Sequence, residues 1–288
     1  MKINLAFLAQ HSVFIRLGCF LVVLLVLWLP FAIPIYLLVS DANLVSILTM
    51  VLLYVEFIFL LRIWGNQVYK QPQILQHYGL QFTRLNGVDL LQGLAIGLIS
   101  ILILFGLEGL LGFLVWQQPK SFLLKVVLEG SLTGLGIGFV EELLFRGWLL
   151  DELQRDYSPP VALWTSAIIY GVSHFIKPLE AIIHTLPQLP ALVLLGLTQV
   201  WGKRWRRGRL GLPIGLHGGI VWGYYIINIG GLIEYTNRVP DWVTGVNKNP
   251  LMGVMGLVLM GVLAFWMKGK ASTVDIDGSK NAKFNIKN

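Results

Sequence analysis

The sequence predicts an all-α protein, a polytopic bundle of about eight membrane-spanning helices. Three observations predict it. Of 288 residues, 56% are hydrophobic and only 13% charged, where a soluble domain carries about a quarter charged residues. The apolar residues come in blocks of roughly twenty, the length a helix needs to cross hydrocarbon. The basic residues alternate between the two sides that such a chain would have.

The blocks lie at about 17–39, 44–64, 88–116, 122–150, 160–177, 180–200, 211–233 and 250–267. They do not alternate apolar and polar residues as barrel strands would, so helix is the expected state. The first holds Pro30 and Pro34, expected to kink it, and Cys19, a small buried hydrophobe. Its run is too long for a cleavable leader. The second and third hold Glu56 and Glu108, each read as a packing or hydrogen-bonding group; Glu129 lies nearer the outer end of the fourth. Between the second and third, YKQPQILQHYGLQF reads as a surface loop or short interfacial helix with His77 solvated. The stretches LLQGLAIGLIS and GSLTGLGIG suit close helix approach. With no internal repeat, residues 1–267 form one membrane domain, and 268–288 are expected to be a polar, unstructured cytoplasmic tail.

With the N-terminus inside, 17 of the 22 basic residues fall on the cytoplasmic side; Lys120, Lys125, Lys177, Arg238 and Lys248 fall outside. That asymmetry follows the positive-inside rule and places both termini in the cytoplasm. The cluster KRWRRGR (203–209) is thereby explained by topology, with anionic lipid a secondary reading. Membrane lipids are expected partners and nucleic acid is not.

Ionisable residues within spans cost about 2.5 kcal/mol or more each to insert, and so point to function. Three groups stand out. In GFVEELLFRGWLL (138–150), Glu142 and Arg146 are four apart and pair on a helix. Glu141 is rotated by about 100° and left free, which suits a general base; a helix-end salt bridge is an equal reading of this stretch alone. In YGVSHF (170–175), Tyr170 and His174 share a face. In GLHGGIVWGYY (215–225), glycines flank His217, so a backbone or substrate can approach closely. His184, near prolines at the outer end of its span, is left out. Each histidine taken singly is as readily a satisfied core residue. Together the set suits hydrolysis: an acid to take a proton from water, one imidazole to orient that water, another to stabilise an oxyanion. The same groups could hold zinc with a position for water, although no HExxH occurs. Serine and cysteine nucleophile motifs are missing too.

On EELLFR (141–146), YGVSH (170–174) and the histidine of GLHGG (215–219), the chain resembles the CPBP family of intramembrane proteases, named for CaaX proteases and bacteriocin-processing proteins. The likeness covers roughly 120–225, within a protease core of about 120–233. It implies that Glu141 activates water with His174, that His217 helps hold the oxyanion, and that Glu142, Arg146 and Tyr170 support them. It implies an endopeptidase acting on membrane-tethered or prenylated peptides from a water-filled cavity open to the cytoplasm. No cofactor is firmly implied; were zinc bound, Glu141, His174 and His217 would be its ligands, and a metal-free, glutamate-activated water is the preferred reading. The family often has asparagine four residues after the last histidine. Here that position is Val221, which cannot donate, so a compensating donor is expected, with Trp222 nearby but about 100° further round. The rival readings are a non-catalytic membrane chaperone or immunity factor that keeps the fold, and, less favoured, a transporter.

Overall fold

The computed structural model describes residues 5–285. Each apolar block forms a helix: α1 Val13–Leu38, α2 Ala42–Gln67, α3 Arg84–Leu110, α4 Leu123–Asp156, α5 Pro159–Ser173, α6 Leu179–Trp205, α7 Gly211–Ile229 and α8 Val254–Asn285. Six of them are long and apolar enough to cross a membrane. The other two of the eight expected spans do not qualify. The α5 helix has only 15 residues, and α7 is diluted by five glycines, a proline and His217.

Local chemistry sets several boundaries. The side chains of Asp41 and Thr83 cap α2 and α3 by accepting from Leu44 N and Asn86 N, which satisfies amides that have no partner within the helix. The third and seventh spans, expected to continue to 116 and 233, stop earlier. Gly112 and Gly231 take left-handed φ values of +73° and +63°, the backbone turn that ends a helix and that glycine adopts without strain. Beyond them, Leu114–Trp116 (β1) and Ile233–Tyr235 (β2) form an antiparallel ladder with Val115 opposite Glu234.

The tail reading is also corrected: helix α8 continues to Asn285. Packing carries it beyond the apolar run, because Ala271 is buried and the Lys270 ammonium sits over the Trp205 ring. Residues 286–288 of the expected tail lie outside the described residues.

Helix α7 is the hub, with α3 on one side and α4 on the other. Glycines at four-residue spacing make both contacts backbone to backbone. A Cβ on Gly215 would lie 2.0 Å from the Leu90 carbonyl oxygen, and one on Gly138 would lie 2.6 Å from that of Ile214. Both are closer than atoms pack, so only glycine allows the approach. Gly138 is one turn before Glu142, and Ile214 is one turn before His217. The close contact therefore brings those two side chains to the same level.

The far end of α4 is anchored by charge. Arg16 of α1, though 2% exposed, donates to Glu152 Oε2 at 2.8 Å and to Asp156 Oδ1 at 2.9 Å. Tyr69 donates to Glu152 Oε1 at 2.5 Å. His77 is not merely solvated, as its loop position suggested: Nε2 lies 2.8 Å from Asp151 Oδ1.

Candidate active site

Glu141 and Glu142 end the regular α-helical part of α4, and Leu143–Leu149 form a π turn before α-helix resumes at Leu150. Such wide turns are rare and occur often at functional sites. Arg146 lies within it, and its carbonyl accepts from Lys203 Nζ at 2.6 Å.

Glu142 points inward to α7. Its Oε1 accepts from Arg146 Nη1 at 3.0 Å and meets His217 Nδ1 at 2.9 Å. All three side chains are buried. Arg146 also donates from Nη2 to the Gly196 carbonyl at 3.3 Å, and its guanidinium lies 4.2 Å from the centroid of the Tyr170 ring. One arginine thus ties α4 to α5 and α6, and through Glu142 to α7. A cation removed from water at such cost is tolerated because it is both paired and stacked.

Glu141 faces elsewhere. Its Oε2 is 4.0 Å from His174 Nε2 and 3.8 Å from His217 Nε2, and this oxygen has no hydrogen-bond partner among the described residues. Glu141 and His174 are 25% and 29% exposed, whereas Glu142 is fully buried. The two carboxylates therefore differ in kind: one is locked, and the other is open between two imidazoles. Nδ1 of His174 lies 2.9 Å from the Tyr170 carbonyl. A carbonyl only accepts, so Nδ1 carries the proton and, in the neutral ring, the Nε2 lone pair faces Glu141.

The residues singled out from sequence are thus together: Glu141, Glu142, Arg146, Tyr170, His174 and His217 lie on three helices and at their ends. The hairpin of α4 and α5 sets the level of Glu141 and His174. Helix α4 runs on to Asp156 and α5 begins at Pro159. Glu141 stands fifteen positions before Asp156, and His174 fifteen after Pro159. The helical hairpin therefore carries both to about 22 Å from its tip.

Three features went unread in the sequence: the π turn, the Gly196 carbonyl, and Tyr54 of α2, which is near enough to feel the charge of Glu141. Tyr54 also bounds an apolar groove of about 750 Å³ between α2 and α4, lined further by Val51, Ile58, Ile137 and Val140. Trp222 is not a spare donor. Its Nε1 donates to the Val127 carbonyl at 2.9 Å.

The donor set does not match a zinc cage. Ligands about 2.0–2.2 Å from a tetrahedral zinc sit about 3.4 Å from one another, closer than the separations here. Among the described residues no group of three or more His, Cys, Asp or Glu is placed to hold a metal ion.

Helices with lipid-length apolar faces enclosing a buried acid–imidazole centre define a polytopic membrane protein. Within it, residues 123–223 match the family model described as Rce1-like, type II CAAX prenyl endopeptidase Rce1-like. Over that stretch the chain is similar to the Rce1-like family, and the match supports an integral membrane protease of CAAX type. No curated protein and no solved structure matches the chain.

Proposed function

We propose that this protein is an intramembrane endopeptidase that hydrolyses peptide bonds of membrane-tethered or prenylated substrates with a water activated by Glu141. The observation that carries the reading is the place of Glu141 Oε2, within 4.0 Å of both imidazole Nε2 atoms. A water about 2.8 Å from two groups bridges a gap of up to about 4.5 Å, so one molecule reaches Glu141 and His174 together. Glu141 takes the proton as the water oxygen bonds to the scissile carbonyl carbon. His174 orients the water through its Nε2 lone pair. The oxyanion is met by His217, which donates from Nε2 when it carries both protons, with Glu142 as countercharge at Nδ1. As the tetrahedral intermediate collapses, Glu141 returns its proton to the leaving amine. Arg146 and Tyr170 hold the frame without touching substrate.

The groove between α2 and α4 suits an isoprenoid or acyl chain, because its walls are apolar and include Val140, the residue before Glu141. Substrates enter laterally or from the cytoplasmic face, the side to which the positive-inside rule assigns both termini. The test is cleavage of a fluorogenic prenylated peptide by purified protein in liposomes, with Glu141→Gln as the control; equal cleavage by both would end the proposal.

One observation favours a second reading, a membrane chaperone or immunity factor that keeps the fold without catalysis. Val221 offers no donor and the neighbouring indole is engaged elsewhere. The Glu141→Gln variant separates the two, since a scaffold keeps its cellular function.

A further inference from the structure

Lys203 of α6 belongs to the basic cluster that the positive-inside rule explains as a group, yet its ammonium is engaged within the bundle. Nζ donates to the Arg146 carbonyl at 2.6 Å and lies near enough to Asp151 and Glu142 to feel their charges. The acceptor is no ordinary helix carbonyl. At the end of the wide turn, Leu150 N bonds back to the Phe145 carbonyl, five positions earlier. From Leu150 the helix is α again, and its amides reach back four positions. The next amide, that of Asp151, therefore reaches Gly147, and the Arg146 carbonyl is passed over. A helix that returns from five-residue to four-residue bonding leaves one acceptor without an amide. Arg146 is 1% exposed, and a carbonyl left without a donor in such a place is costly.

The same residue is held a second time by α6. Arg146 Nη2 donates to the Gly196 carbonyl at 3.3 Å. Gly196 and Lys203 stand seven positions apart, two turns along one face of the helix. Helix α6 thus grips Arg146 both by its backbone carbonyl and by its guanidinium. The guanidinium in turn donates to Glu142, which meets His217. Gln199, between the two grips, is buried but its side chain has no hydrogen-bond partner among the described residues, so it does not share the task.

We propose that Lys203 is a positioning residue: its ammonium caps the carbonyl that the wide turn of α4 leaves over, and so fixes Arg146, Glu142 and the His217 ring for the reaction. Its effect on turnover rests on the hydrolytic reading above, whereas its effect on the His217 ring does not. Lys203 itself touches no substrate.

The test is Lys203→Met, which keeps the apolar stem and removes the donor, in the full chain in liposomes. Two quantities are read. One is kcat and KM for a prenylated peptide. The other is the His217 Nδ1 resonance in solid-state NMR of isotope-labelled histidine, assigned by its loss in His217→Gln. Lys203→Met is expected to lower kcat by on the order of tenfold to a hundredfold, with KM within about twofold, and to shift that resonance. Lys203→Gln, a shorter and uncharged donor, is expected to change both in the same direction by less, and it carries the test should Lys203→Met not accumulate. Parent-like turnover and resonance in these variants overturn the proposal. So does lost turnover with an unchanged resonance, which would mean that Lys203 acts by another route. A parent protein that cleaves no prenylated peptide ends the hydrolytic reading, and the His217 resonance then decides the role of Lys203 by itself.

Discussion

His217 Nδ1 and Glu142 Oε1 lie 2.9 Å apart in the closed interior of the bundle, while Nε2 of the same ring faces Glu141. One imidazole is therefore braced by the locked carboxylate and presented to the open one.

Glu141→Gln removes the group that would take the proton and alters neither volume nor the Arg146 contacts. Turnover of a prenylated peptide should fall by about a hundredfold to ten-thousandfold, with an unchanged melting temperature. A loss of less than threefold would remove Glu141 from the chemistry.

Glu142→Gln and Arg146→Met should act on the fold first. Each leaves an uncompensated buried charge, which costs about 3–5 kcal/mol. Thermal unfolding in detergent should shift well below that of the parent protein. Arg146→Lys should not restore it, because an ammonium cannot reproduce both the carbonyl contact with Gly196 and the stacking on Tyr170.

Val221→Asn puts a side-chain amide one turn beyond His217. If oxyanion stabilisation is incomplete in the native chain, kcat should rise by on the order of tenfold to a hundredfold with little change in KM. No gain in a working assay would mean that another donor already serves there, and Tyr54→Phe would then be the variant to measure.

Gly138→Ala places a methyl 2.6 Å from the Ile214 carbonyl oxygen. Helices α4 and α7 must separate, carrying Glu142 from His217. Activity and melting temperature should drop together, whereas Gly106→Ala, with open space around it, should leave both near the parent values.

Chelators should not inhibit, since the spacing of Glu141, His174 and His217 is wider than a zinc cage. Inhibition by EDTA that is reversed by added zinc would contradict that geometry.

Much of this centre was legible in the sequence because acids, an arginine and histidines in apolar runs are costly and so conspicuous. The eight helical blocks were legible from their length. What stayed hidden has no residue-type signature. The Gly196 carbonyl is a backbone atom, and the π turn uses ordinary residues. The β1–β2 ladder lay inside runs whose hydropathy suited helix equally well; Gly112 and Gly231 were the only local hints. Continuation of α4 to Asp156 depends on Arg16, 136 positions from Glu152. No local window could supply that contact.

The wide turn at Leu143–Leu149 sets the phase between the two ends of α4. It adds about one residue relative to a regular helix, so everything after it is rotated by about 100° from where uninterrupted winding would put it. Glu141 and Glu142 precede that insertion; the anchoring acids Glu152 and Asp156 follow it. Excising a single position from the turn would leave Glu141 and Glu142 in phase with the imidazoles while swinging Glu152 off Arg16. The chemistry and the mooring of this helix are thus tuned by one amino acid between them, and each can be dephased without editing the other.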